Sequence, residues 1–186
     1  GKKISIDSAN MMNKVFEMLE AYNFFKFNKK KYKIIIHPQS YVHSIIRFRN
    51  GLIKMILYNT DMKIPIANTL YGTKNHSYVT SSIDPKVLNK LTFYKVDKKK
   101  FPSIKLISKF SGSDYSTPII INAANEILVS LFLNGKIGFL DIVKTIIKIF
   151  KDKDFKKYAK RKPNSIEDIM KTDNWARLKT IGMCVK

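Results

Sequence analysis

The chain has 186 residues, 45% of them hydrophobic, which is enough to bury a real core and argues against disorder. No apolar run reaches the ~18 residues of a membrane-spanning helix, no leader pattern is visible, and the single cysteine, Cys184, excludes an internal disulfide and a Cys-rich zinc site. Net charge is +21, from 35 Lys and Arg against 14 Asp and Glu.

That charge suits a polyanion binder, because Lys and Arg neutralise phosphate. It also suits compositional drift, since the chain leans on Lys, Ile and Asn, whose codons are A/T-rich. Lys far outnumbers Arg, the residue fitted to bidentate phosphate recognition. The Lys residues are spread along the chain, with local clusters at 29–31, 98–100 and 156–162. No RNA-recognition submotif, zinc-finger spacing or basic heptad is present, so drift is preferred to nucleic-acid binding. The chain lacks an initiator Met, opens on Gly1-Lys2-Lys3 and runs quickly into apolar sequence. The expectation is a piece of something longer.

Residues 4–7 read as a short strand or turn, followed by a helix over 8–25. Met11, Met12, Val15, Phe16 and Leu19 form its buried stripe, and Asn10, Asn13, Lys14 and Glu17 its other face. Residues 33–37 (KIIIH) read as a buried strand ended by Pro38. Residues 41–49 alternate, with Val42, Ser44, Ile46 and Phe48 on one face and Tyr41, His43, Ile45, Arg47 and Arg49 on the other. Asn50-Gly51 then predicts a two-residue hairpin turn into a strand over 52–58. Residues 59–63 are a loop and 65–71 a short helix. From 72 to about 100 the chain is polar, with Gly, Ser and Pro, and reads as a connecting arm.

The rest is helical. A helix over 122–133 stops at Asn134-Gly135, and a second, strongly apolar, covers 139–150. Residues 151–163 read as a charged, mobile connection. Ser165 is the N-cap of a third helix with Glu167 and Asp168 in its first turn. The fold class is α+β: part of a mixed α/β catalytic domain with a small sheet (1–71), a connecting arm (72–100), and an all-α C-terminal bundle (101–186).

The polar face of the first helix carries the clearest chemistry. A helix N-terminus offers N–H groups and partial positive charge to a phosphate. Ser8, read as the N-cap, and Asn13 can hydrogen-bond such an anion, and Lys14 adds a full charge. Glu17 has no use for a phosphate, but its carboxylate suits a divalent metal. The plainer alternative is a capped helix with a Lys14–Glu17 ion pair, which is the simpler reading on periodicity alone. His37 and His43, six positions apart, suggest metal ligation, but Pro38 breaks the strand between them. His43 shares its expected face with Arg47 and Arg49, which suits an anionic ligand or a solvated sheet edge. His76, in the arm, is given no role. No GxGxxG, P-loop or GxSxG occurs, and Asp7, Glu17 and Asp61 are dispersed.

The series GKKISIDSANMMNK, IHPQSYVHS, DMKIPIA, LTF, FPSIKL and NAANEI closely resembles, in order and spacing, the 1-deoxy-D-xylulose 5-phosphate reductoisomerase family. The match covers most of this chain but only the C-terminal half or so of that enzyme. The resemblance implies NADPH-dependent rearrangement and reduction of 1-deoxy-D-xylulose 5-phosphate to 2-C-methyl-D-erythritol 4-phosphate, with Mg²⁺ or Mn²⁺ (or Co²⁺). It implies sugar-phosphate contacts from Ser8, Asn13, Lys14 and His43, a metal ligand and catalytic partner of Lys14 in Glu17, and proximity of Gly1, Ser40 and Met62 to the NADPH or substrate. It implies a homodimer through the sheet, and a bacterial cytoplasm or a plastid as its home. Two departures stand out. Thr60 replaces the usual Pro before Asp61-Met62. The N-terminal dinucleotide-binding domain is missing, with the Asp and Glu that complete the metal site, so the chain alone is expected to be inactive. A non-catalytic basic module and a degenerate, inactive relative are the alternatives.

Overall fold

The computed structural model describes residues 1–72, 84–110 and 115–184. They form an α+β protein, mostly helical with small antiparallel sheets, in two compact units. One joins Gly1–Lys33 to Asp97–Lys186, and the other is Ile34–Val96. This division cuts across the consecutive segments 1–71, 72–100 and 101–186, because the first helices pack with the C-terminal ones.

In the first unit, α1 (Lys2–Ala9) replaces the strand or turn expected at 4–7. Isoleucines at 4 and 6 favour a strand only weakly, and tertiary anchoring overrides that preference. The anchor is Asp7, 3% exposed, which accepts from Lys3 Nζ at 2.8 Å one turn earlier and from Asn125 Nδ2 at 2.8 Å. Helix α2 (Met12–Phe25) is separate from α1, so the single helix expected over 8–25 is two. Met11 stands between them with φ 61°, in the left-handed region that ends any right-handed helix. Met12, Val15 and Leu19 enter the core as the spacing predicts. Asn10, assigned to the solvated face, is 5% exposed.

Helix α4 (Thr117–Leu133) is the centre of this unit. It packs against α1, α5 (Phe139–Ile149), α6 (Phe155–Ala159) and α7 (Ile166–Cys184). It starts five residues before the expected 122, with Pro118 in its first turn, where the missing N–H costs nothing. It stops where Asn134-Gly135 predicts: Gly135 has φ 69°, and Lys136 N–H donates back to the Leu131 carbonyl at 2.9 Å. Ile120, Ile121, Leu128, Ile142 and Ile146 fill the interface. The 151–163 connection is packed rather than mobile. It holds α6, whose Phe155 and Ala159 are buried, with Phe155 4.7 Å from the Phe150 ring and Tyr158 stacked on Trp175 at 4.3 Å. Ser165 caps α7 as predicted, its hydroxyl accepting from Asp168 N–H at 3.3 Å. Arg177 on α7 donates to Asp173 one turn back and to Glu126 on α4, and the two carboxylates raise its pKa. Burial opposes ionisation of Asp152, but the Asp154 N–H and Lys179 Nζ at 3.0 Å outweigh it and hold its carboxyl below the usual range.

The second unit contains β1 (Ile35–Ile36) paired antiparallel with β4 (Tyr94–Lys95), the hairpin β2 (Val42–Arg47) and β3 (Ile53–Leu57), and α3 (Lys63–Tyr71). Of the expected arm, the described residues up to 96 belong here, and 97–100 belong to the first unit. Thr92 hydrogen-bonds Gln39 through side chain and backbone, and its carbonyl lies 2.9 Å from His37 Nδ1. The hairpin loop is three residues rather than two. Phe48 N–H donates to the Leu52 carbonyl at 2.9 Å, Gly51 N–H to Phe48 at 3.2 Å, and only Gly51 has positive φ, 88°. This is the turn-plus-bulge form of hairpin, which needs one left-handed residue, not two. His76 lies outside the described residues.

Two predictions follow from the helical packing. Leu128→Ala, at a fully buried position, should lower stability by about 3 kcal/mol in urea unfolding. Because the folded pKa of Asp152 is depressed, its stabilising share is present above the ordinary carboxylate value and fades as pH falls through the folded one. Lys179→Met should therefore flatten the fall in unfolding temperature below about pH 4, measured against the unsubstituted protein.

Candidate functional site

The sequence-predicted residues fall into two groups, one in each compact unit. Asn13, Lys14 and Glu17 converge on α2. Lys14 Nζ reaches both oxygens of Glu17, at 2.9 and 2.7 Å, and Asn13 Nδ2 donates to Oε1 at 2.7 Å. The spacing makes this possible, since positions three and four apart share one helix face. Lys14 and Glu17 are each 47% exposed, so the carboxylate is open to an incoming ligand.

Ser8 is not the N-cap of this helix. It lies in the last turn of α1, where its carbonyl accepts from Met11 N–H at 3.2 Å, and it is exposed. The N-cap is Met11, and Asn10 Oδ1 takes the Met12 N–H at 2.9 Å instead. The cause is again the left-handed break at Met11, which leaves Ser8 inside α1, whose last residue is Ala9. A groove of about 730 Å³ in this unit is lined by Gly1, Lys3, Asn13, Phe16, Asn23 and Asn122. It gathers Gly1 and Asn13, whereas Ser8, Lys14 and Glu17 do not line it.

In the second unit His43 is the extra residue of a β-bulge: Val42 pairs with Leu57 and Ser44 with Ile56. The bulge breaks the alternation, so His43 does not simply share a face with Arg47 and Arg49. Bulges re-aim a side chain, and this ring stacks on Tyr58 at 3.6 Å and 7°, with Nε2 3.2 Å from the Tyr58 carbonyl. Ser40 has φ 59° and an exposed side chain. Met62 is 68% exposed at the start of α3, where Asp61 Oδ1 accepts from Lys63 N–H at 2.9 Å. That bond braces the chain just after Thr60. His37 is held by Thr92 and stacks on Phe93 at 4.9 Å.

Asp7 and Asn125 were given no role by sequence reasoning, yet they meet in the interior of the first unit. The signal was available: Asn125 sits within an apolar run, and a polar residue there needs a partner.

The family model described as "DXP reductoisomerase C-terminal domain" matches residues 57–179. A second, "1-deoxy-D-xylulose 5-phosphate reductoisomerase C-terminal domain", matches residues 1–25. The chain is 45% identical over 185 residues to the 1-deoxy-D-xylulose 5-phosphate reductoisomerase of Pelagibacter ubique, covering 100% of this chain and 48% of that protein. The corresponding protein of Zymomonas mobilis is 39% identical over 183 residues, with 98% and 46% covered. Among solved structures, the Zymomonas mobilis enzyme in complex with NADPH superposes with TM-score 0.88, at 38% identity over 98% of this chain and 47% of that one. A DOX-P reductoisomerase in complex with NADPH, fosmidomycin and magnesium gives 0.92 at 32% identity over 99% and 46%. The chain spans about half the length of the curated relatives it matches. These are the C-terminal regions of reductoisomerases. The chain belongs to the DXP reductoisomerase C-terminal domain family.

The Lys14–Glu17 pair is exposed and local, worth only about 0.3 kcal/mol. Lys14→Ala and Glu17→Gln should each leave the unfolding temperature within ~2 °C of the unsubstituted protein in a calorimetric scan. A larger drop would make the cluster a stability device.

Proposed function

We propose that the chain is the C-terminal half of a 1-deoxy-D-xylulose 5-phosphate reductoisomerase. It contributes to the NADPH- and divalent-metal-dependent conversion of that sugar phosphate to 2-C-methyl-D-erythritol 4-phosphate, a step of non-mevalonate isoprenoid synthesis. The observation that carries this reading is the convergence of Asn13 and Lys14 on an exposed Glu17 carboxylate, in a family whose solved relatives bind NADPH and magnesium.

The residues fit a metal as one part of a shared site. Glu17 supplies hard oxygen donors suited to Mg²⁺ or Mn²⁺ (or Co²⁺), and no group of three or more His, Cys, Asp or Glu stands ready among the described residues. The remaining ligands then come from the N-terminal half of the same protein, and the chain alone turns nothing over. When bound, the cation supplies Lewis-acid polarisation of the substrate's carbonyl oxygen. The chain's own residues bind and orient. Lys14 Nζ, freed from Glu17, donates to substrate oxygen, and Ser8 and Asn13 hydrogen-bond the phosphate end. His43, fixed by its stack on Tyr58, adds a substrate contact. Gly1, Ser40 and Met62 border the NADPH. Holding the reacting groups in place is the protein's main share of such chemistry.

The exposed Ile45, Ile46, Ile53, Met55 and Ile56 of the hairpin support a homodimer through this sheet. Bacterial relatives support a cytoplasmic home, and no described helix is long and apolar enough to cross a membrane.

The test follows NADPH absorbance in the full-length protein with 1-deoxy-D-xylulose 5-phosphate and Mg²⁺. Glu17→Gln should lower turnover more than about a hundredfold, since even groups that only support a metal ligand are worth ~10–100-fold. No turnover in the unsubstituted protein would favour a degenerate relative or a polyanion-binding module. Detectable NADPH oxidation by the isolated 186 residues would overturn the shared metal site.

A further inference from the structure

A polar cluster in the first unit gathers at the end of α1, just ahead of Asn13, Lys14 and Glu17 in the chain, and takes no part in the function proposed above. Asp7 is 3% exposed and Asn125 fully buried. Asp7 Oδ1 accepts from Asn125 Nδ2 at 2.8 Å, and Oδ2 from Lys3 Nζ at 2.8 Å. One turn beyond Asp7, Asn10 turns its Oδ1 onto Met12 N–H at 2.9 Å. Its carbonyl accepts from the buried hydroxyl of Ser103, in the 3₁₀ turn Pro102–Lys109. The left-handed Met11 follows at once. The break between α1 and α2 is therefore held from α4 through Asp7, from the 3₁₀ turn through Asn10, and by its own Asx bond.

This arrangement is not the most stable one available. Met11 has a Cβ in a region that costs about 1 kcal/mol or more. Asn10 Nδ2 and Asn125 Oδ1 are buried without a partner among the described residues, one a donor and one an acceptor. An apolar pair would fill the same space without that cost. What a hydrogen-bonded pair adds is direction. Asp7 is bonded through both oxygens, which fixes the end of α1, and the break fixes the start of α2 one residue before Asn13.

We infer that Asp7 and Asn125 are positioning residues, which set the direction in which α2 presents Glu17 to the metal. This rests on the function proposed above. It predicts a defect in metal binding rather than in NADPH binding.

The experiment uses the full-length protein and the EPR signal of free Mn²⁺ to measure binding. Unfolding temperature and the kinetic constants for NADPH oxidation are taken on the same samples. Asn125→Ala should weaken Mn²⁺ binding about tenfold and raise the half-saturating Mn²⁺ in step, with KM for NADPH unchanged. Asn125→Asp sets two carboxylates against each other, and adding Asp7→Asn restores a donor–acceptor pair in reverse. The double variant should recover most of the affinity that Asn125→Asp loses. A lowered unfolding temperature with unaltered Mn²⁺ affinity in Asn125→Ala would make the pair structural only and overturn the inference by itself. If Asn125→Ala does not fold, Ser103→Ala decides by the same two measures: weaker Mn²⁺ binding upholds the inference and unchanged binding overturns it. Absence of Mn²⁺-dependent turnover in the unsubstituted protein removes the proposed function, and this inference with it.

Discussion

The backbone reversal at Met11 is the constraint on which the candidate site depends. A residue with a Cβ at φ 61° cannot continue α1, and α2 must start afresh on a new axis. The new start decides which residues enter the core. Met12, Val15 and Leu19 go in, and Asn13, Lys14 and Glu17 come to share the opposite, open side. Strained backbone of this kind persists only where its surroundings over-determine it, and such positions gather at functional sites. Here the surroundings are Asp7, Asn10, Ser103 and Asn125, all of them buried.

The groups that carry stability are not those of the candidate site. Helix α4 buries Ile120, Ile121, Leu128 and their neighbours against three later helices, and this apolar packing is the main source of stability in the unit. The Asn13-Lys14-Glu17 cluster buries little and stabilises little. A metal or substrate that takes over the Glu17 carboxylate displaces one exposed ion pair and leaves the core untouched. The link between the two is narrow: Asn125 belongs to α4 and yet ends on Asp7, in the last turn of α1.

What the sequence made legible was what periodicity and end signals encode locally. The apolar positions of α5, the Ser165 cap and the stop at Asn134-Gly135 all read directly, because each depends on residues within a turn or two. Illegible features depend on distant partners. Residues 4–7 look like strand until Asn125, far along the chain, is seen to hold Asp7. The bulge at His43 needs β3 beside it, because alternation cannot reveal an extra residue on one strand. Helix α6 hides in a charged stretch because only Phe155, Tyr158 and Ala159 pack. The Lys14–Glu17 ion pair was legible from their spacing alone. The family came from motif order, which no single helix carries.

The +21 charge also acquires a local explanation. Lys26 lies over Tyr22, Lys31 over Phe27, Lys54 over Phe48, Lys100 over Phe101, Lys109 over Phe150 and Lys157 over Tyr158, each ammonium 5.5–6.0 Å from the ring centre. These pairs sit on both units and in helices, hairpin and turns alike. A Lys stem covers apolar surface while its charge stays in water, and the ring face adds a weak attraction. A chain rich in Lys can therefore use it where another would place a mixed polar surface. A phosphate-tracking surface needs its cations gathered along one face, whereas these are each matched to a nearby ring. The dispersed excess fits drift in composition, while Lys3, Lys14 and Lys179 are matched to the carboxylates of Asp7, Glu17 and Asp152.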